Sequence, residues 1–246
     1  GVVAASVIAA MLAALLVRPR DRRTVQLALL LVAGTVGQVV LGGIVVLTGL
    51  HPLSNMGHFL LSIALMAWAF WLVDAISARG LNEASSYSSR AHWRALLAGQ
   101  SWSVAPGNRV AAISRVVAFM TLVAIVTGTV VTGTGPHAGD ETAPRFDYMI
   151  TSVVRVHGIA VWLVILAALW FGWQLWRKGV DQRVQRGFEW FLFAAIAQGG
   201  LGYLQYFTGV PVTLVAFHVA LSIVVWLTAL RLATLSRRYG GCDTMA

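Results

Sequence analysis

Polar and apolar positions in this chain segregate into whole segments rather than alternating residue by residue. Apolar stretches run at about 2–17, 25–50, 57–77, 110–133, 149–176, 188–207 and 210–232, separated by polar connections. Most of them reach the ~20 residues needed to cross ~30 Å of hydrocarbon as a helix, and only the first is short. They are apolar on every face, whereas a membrane-spanning strand alternates in polarity over a short segment. The pattern therefore predicts an all-α, polytopic membrane protein with about seven helices visible.

Composition narrows the function classes. Of 246 residues, 58% are hydrophobic and 11% charged, against ~25% charged in a typical soluble domain. An ordinary water-soluble enzyme is excluded. The formal charge of +9 would suggest a nucleic-acid partner in a soluble protein, but the positions of the basic residues give it another meaning. Arg18, Arg20, Arg22 and Arg23, then Arg79, Arg90, Arg94 and Arg109, then Arg177, Lys178, Arg183 and Arg186, and finally Arg231, Arg237 and Arg238 fall in alternate connections, with Arg115 just inside the fourth run. The opposite side holds only Arg145 and Arg155, beside Asp140, Glu141 and Asp147. By the positive-inside rule the basic connections and the C-terminus face the cytoplasm, and 51–56, 134–148 and the turn around Gly209 face outward. The expected surroundings are membrane lipid, in a bacterial inner (cell) membrane, with no nucleic acid.

The first run has no basic residue before Arg18 and no cleavage site, so it reads as a helix cut short rather than a signal peptide. Cys242 is the single cysteine, which excludes a disulfide framework within the chain.

The chain repeats itself. Gln38 to Ile63 aligns without gaps onto Gln198 to Ile223, and the identities include Gln38/Gln198, Gly42/Gly202, Thr48/Thr208, Gly49/Gly209 and His58/His218. The same offset brings Arg18, Asp21 and Arg23 onto Lys178, Asp181 and Arg183. A duplicated helical unit follows. The second copy shows four runs and the first only three, so the expected architecture is two tandem four-helix transmembrane bundles, eight helices in full. Residues 1–78 make the first repeat, lacking its first helix and the start of its second. Residues 79–109 make a polar cytoplasmic linker, 110–235 the second repeat, and 236–246 a cytoplasmic tail. An even number of spans separates the copies, so both have the same orientation.

Three histidines lie in apolar runs near their outer ends: His58, His157 and His218. An ionisable side chain inside a membrane is a functional-site hypothesis that needs a named partner. His157 and His218 sit on the second and fourth helices of one repeat at similar depth, where two imidazoles can ligate a haem iron from opposite helices. Gly158, Ala216 and Ala220 are expected to leave room for the macrocycle. His58 stands at the position equivalent to His218, and the residue paired with it would lie before Gly1. The alternatives are histidines that hydrogen-bond between helices, or zinc, which lacks cysteine ligands in the membrane region. His51, His92 and His137 read as surface residues. Arg145 and Arg155 stand between two readings: pairing with haem propionates, or, for Arg155, snorkelling to the interface. The glycines of Gly128 to Gly135 are read as close helix packing.

The segments Gln38 to Leu50 (QVVLGGIVVLTGL) and Gly57 to Ser62 (GHFLLS) resemble the third and fourth helices of bacterial haem A synthases. Gly128 to Asp140 (GTVVTGTGPHAGD), Arg155 to His157, Leu204 to Gly209 (LQYFTG) and Phe217 with His218 resemble that family's second half. The resemblance implies eight helices in two repeats, and oxidation of the ring-8 methyl of haem O to a formyl group through successive hydroxylations, for cytochrome c oxidase. It implies further that His157 and His218 ligate haem b as metal ligands and that His58 binds the iron of the substrate haem O. The family's catalytic glutamate would fall upstream of Gly1, so no catalytic residue is expected in this chain and the fragment alone should be inactive. The equivalent position in the second repeat is Val154. Haem O synthase, an electron donor and a second copy of the chain are further expected partners. The alternative to the synthase is a non-catalytic bis-histidine transmembrane b-type cytochrome for electron transfer.

Overall fold

A computed structural model describes residues 2–16, 22–87, 109–136, 142–178 and 180–239. The expectations placed on Arg18, Arg20, Asp21, Arg90, His92, Arg94, His137, Asp140, Glu141 and Cys242 lie outside the described residues. Seven helices follow in order: α1 Val2–Leu16, α2 Arg22–Leu47, α3 Pro52–Tyr87, α4 Arg109–Thr134, α5 Ile150–Lys178, α6 Gln182–Phe207 and α7 Val212–Tyr239. Among the described residues there is no strand, so the all-α expectation holds.

Among the described residues, five helices are long and apolar enough to cross a membrane: α2, α3 over Pro52–Ser77, α4, α5 over Ile150–Arg177, and α7. The protein is a membrane protein. α1 has 15 residues, too few for ~30 Å. α6 has 26 residues, as many as α2, but Gln182, Arg183, Gln185, Arg186, Glu189, Gln198 and Gln205 keep it out of that set. α3 continues as helix to Tyr87, beyond the end of its apolar run and into the segment expected to be linker. Hydropathy reports contact with lipid, whereas the helix continues wherever its backbone hydrogen bonds can be made.

The repeated Thr–Gly pairs are helix stops. Gly49 and Leu50 both have positive φ (60° and 62°), as do Gly209 and Val210 (79° and 59°). This left-handed excursion lets Leu50 N–H donate to the Val45 carbonyl (2.8 Å) and Val210 N–H to the Gln205 carbonyl (2.7 Å), the six-residue closure that satisfies a helix's last carbonyls. Thr48 and Thr208 hydroxyls donate to Ile44 and Leu204 carbonyls, each at 2.7 Å.

The chain forms two compact units, Gly1–Gly43 with His58–Ser103, and Ile44–Gly57 with Val104–Ala246. In the first, Leu27, Leu31 and Leu72 form a small core with Val7, Leu65 and Trp68 against it. In the second, α4 packs on α5 and α7, α6 on α7, and α5 on α6, closing a ring in which α5 and α7 occupy opposite corners. Its core lies at one end, where Val110, Val117, Phe171, Val184, Phe191, Ala229 and Leu232 are buried. That is also the end at which Arg109, Arg177, Arg183 and Arg237 lie. The outward faces carry exposed Leu163, Leu166, Leu169, Phe193 and Ile196, the surface a lipid-facing bundle presents.

Candidate functional site

Within the second unit the buried apolar side chains of the four helices stop at Ile125 on α4, Ala160 on α5, Ala194 on α6 and Val225 on α7. Beyond that level the helices carry Thr127, Gly128, His157, Gln198, Gly202 and His218. His157 stands seven residues into α5 and His218 six residues into α7. Both helices start at the same end of the ring, so the two imidazoles lie at similar depth. Both are half-buried, and both belong to the second unit, on α5 and α7.

Each imidazole rests against a glycine of the neighbouring helix. A Cβ on Gly202 would stand 3.1 Å from His218 Cε1, and one on Gly128 would stand 3.2 Å from His157 Cε1. In the first unit a Cβ on Gly42 would stand 3.4 Å from His58 Cε1. Small residues on an adjacent helix let a ring lie flat against backbone, as close helix packing in membranes requires. Of the residues expected to make room for a macrocycle, Gly158 faces open space, and Ala216 and Ala220 are exposed; the seats of the imidazoles themselves are the glycines of the adjacent helices.

The matched glutamines brace the histidine backbones. Gln38 Nε2 donates to the His58 carbonyl (3.1 Å) and Gln198 Nε2 to the His218 carbonyl (3.0 Å). The copies differ at the matched serines: Gln38 also donates to Ser62 Oγ, whereas Ser222 donates to the Val219 carbonyl. His157 is held otherwise. Thr127 Oγ1 lies 3.1 Å from its Nδ1, while the same hydroxyl reaches the Val123 and Ala124 carbonyls, both at 3.0 Å. A hydroxyl has one hydrogen. Which of the two atoms donates depends on the imidazole tautomer; in the tautomer with the proton on Nδ1, Thr127 accepts while its own hydrogen goes to a carbonyl, and the lone pair of His157 falls on Nε2. His58 Nδ1 and His218 Nδ1 are buried with no hydrogen-bond partner.

This donor set fits a haem: imidazoles of His157 and His218 stand on facing helices of one unit, each backed by a glycine that leaves the ring's faces and edges to a flat group, and His157 has the outer partner at Nδ1 that metal-binding histidines commonly have. No group of three or more His, Cys, Asp or Glu occurs among the described residues.

The remaining sequence candidates make contacts of their own. His51 is exposed, and its Nδ1 accepts from Leu53 N–H (3.3 Å) at the start of α3. Arg155 is exposed on α5, and Arg145 donates to the Pro136 carbonyl (2.8 Å). Gly133 packs against Phe146, whose N–H donates to the Gly133 carbonyl (3.0 Å), so close packing describes Gly133 while Gly128 is a seat for His157. Thr127, in hydrogen-bond contact with His157, is the residue beside these histidines that sequence reasoning missed.

Over residues 1–230 the chain matches the COX15-CtaA family, described as cytochrome oxidase assembly protein. The chain belongs to this haem A synthase family. Its role is in cytochrome oxidase assembly, and the duplicated Gln–Gly–His arrangement is this family member's own geometry. No curated protein and no solved structure matches the chain.

Proposed function

We propose that this chain oxidises the ring-8 methyl of haem O to a formyl group, as a haem A synthase of the bacterial inner membrane. The observation that carries the reading is the seating of paired membrane histidines on glycines, in a chain of the cytochrome oxidase assembly family. In this reading His157 and His218 hold haem b, and Thr127 keeps the Nε2 of His157 available to the iron. Bound there, a haem supplies reversible one-electron chemistry at its iron. Gly128 and Gly202 set the planes of the two rings, and the apolar core below them keeps water from entering from the basic end. His58, backed by Gly42 and braced by Gln38, holds the substrate haem O in the first unit. Val154 stands in the second unit where the resemblance puts the catalytic glutamate of the first, and its side chain cannot exchange a proton. The second unit then serves as the cofactor half and the first as the reaction half. The basic ends of α4 to α7 face the cytoplasm.

The test uses protein expressed from its full gene. His157→Ala and His218→Ala are each expected to abolish the low-spin haem b spectrum, and His58→Ala to preserve that spectrum while stopping conversion of supplied haem O. Wild-type protein that contains only haem b and leaves haem O unchanged overturns the synthase reading in favour of an electron-carrying b-type cytochrome. An intact spectrum in both ligand variants overturns the haem b site itself.

A further inference from the structure

At the basic end of the second unit, α4 and α5 enclose a groove of about 660 Å³ lined by Arg109, Ala112, Trp170, Trp173, Gln174 and Arg177, among others. Arg109 is the first residue of α4, and Arg177 lies in the last turn of α5. Because the two helices run antiparallel, both guanidinium groups come to one end of the groove. Trp170, Trp173, Gln174 and Arg177 occupy positions i, i+3, i+4 and i+7, a single face of α5. Ala112 faces them with a small side chain, which opens the space. Arg177 Cζ lies 5.1 Å from the centre of the Trp173 ring, a cation–π contact that orients the guanidinium. Among the described residues neither arginine has an ion-pair partner. Away from the arginines, exposed Val116 and Phe119 on α4 and exposed Leu163 and Leu166 on α5 continue as an apolar surface.

We infer that this groove binds an anionic phospholipid, with its phosphate between Arg109 and Arg177 and its acyl chains along the apolar surface. Two guanidiniums without carboxylate partners are matched to a phosphate, which accepts the planar N–H fork of arginine in bidentate fashion. Tryptophan at helix ends marks the depth of the headgroups, and basic pockets between membrane helices take lipid head groups. A soluble phosphate would satisfy the arginines but would make no use of the tryptophans or of the apolar surface below them.

The experiment measures lipid binding to the full-length protein in detergent by native mass spectrometry, with phosphatidylglycerol, phosphatidylcholine and inorganic phosphate as separate probes. Wild-type protein is expected to prefer phosphatidylglycerol, with millimolar inorganic phosphate unable to displace it. Arg109→Gln with Arg177→Gln is expected to weaken phosphatidylglycerol by about tenfold or more and to leave phosphatidylcholine unchanged. Arg186→Gln with Arg237→Gln removes the same charge outside the groove and is expected to bind as wild type. Circular dichroism of each variant checks that helicity is retained, and Trp173→Phe, which keeps both charges, is expected to weaken the lipid less than the double arginine change. Equal phosphatidylglycerol binding by wild type and the groove variant overturns the site. An equal loss in the control pair overturns it in favour of general surface charge, and displacement by inorganic phosphate overturns the lipid in favour of a soluble anion.

Discussion

Thr127 Oγ1 on α4 lies 3.1 Å from Nδ1 of His157 on α5, and its own hydrogen is occupied by a carbonyl of the preceding turn. In the tautomer that leaves Nε2 free for a metal, the hydroxyl is an acceptor toward Nδ1–H. Replacing it with the near-isosteric valine removes that acceptor while keeping the volume. Thr127→Val is expected to weaken haem retention by about 10–100-fold, the range found for outer partners of metal-binding histidines, and to shift the midpoint potential. Thr127→Ser is expected to restore both. Haem-to-protein ratio and redox titration measure the effect, and a wild-type potential in Thr127→Val would sink the assignment.

The three glycine seats are expected to rank by the space above them. A methyl group at Gly202 or Gly128 meets its imidazole at 3.1 or 3.2 Å, so the ring must give, while at Gly42 the distance of 3.4 Å is ordinary contact. Gly202→Ala and Gly128→Ala are expected to broaden or reduce the low-spin spectrum, and Gly202→Val and Gly128→Val to abolish it. Gly42→Ala is expected to leave haem O conversion close to wild type. A wild-type spectrum in Gly202→Val would refute this seating.

Gln38 and Gln198 each contribute one hydrogen bond to a histidine carbonyl. Gln198→Leu keeps comparable bulk and is expected to cost about 1 kcal/mol of stability, with a small red or blue displacement of the haem b band as His218 shifts. Gln38→Leu is expected to cost somewhat more, because Ser62 Oγ loses the same donor. Unfolding in mixed detergent micelles measures both.

Val210, a β-branched residue at φ 59°, sits where glycine is favoured. Val210→Gly is expected to stabilise the protein by about 0.5–1 kcal/mol, since a left-handed non-glycine residue costs about 1–2 kcal/mol and glycine returns part of this as unfolded-chain entropy. Gly209→Ala, at φ 79°, is expected to destabilise by about 1 kcal/mol. A fall in the unfolding midpoint for Val210→Gly would contradict the strain argument.

Much of this arrangement was legible in the linear pattern. Gln38/Gln198, Gly42/Gly202 and His58/His218 recur in register, and they prove to be brace, seat and imidazole of the same local geometry. Thr127 was not legible. Its partner lies 30 residues away on another helix, and the matched stretches Gln38 to Ile63 and Gln198 to Ile223 do not include it.

By itself the sequence determined the all-helical class, the membrane setting, the internal repeat and the family, because each is recorded in hydropathy and motif spacing along the chain. Only the tertiary structure decided which side chain stands over which imidazole, and which arginines share a groove. Those contacts depend on how helices are rotated and stacked against one another, and a helix's apolar pattern, here apolar on all faces, leaves that rotation open until the helices pack.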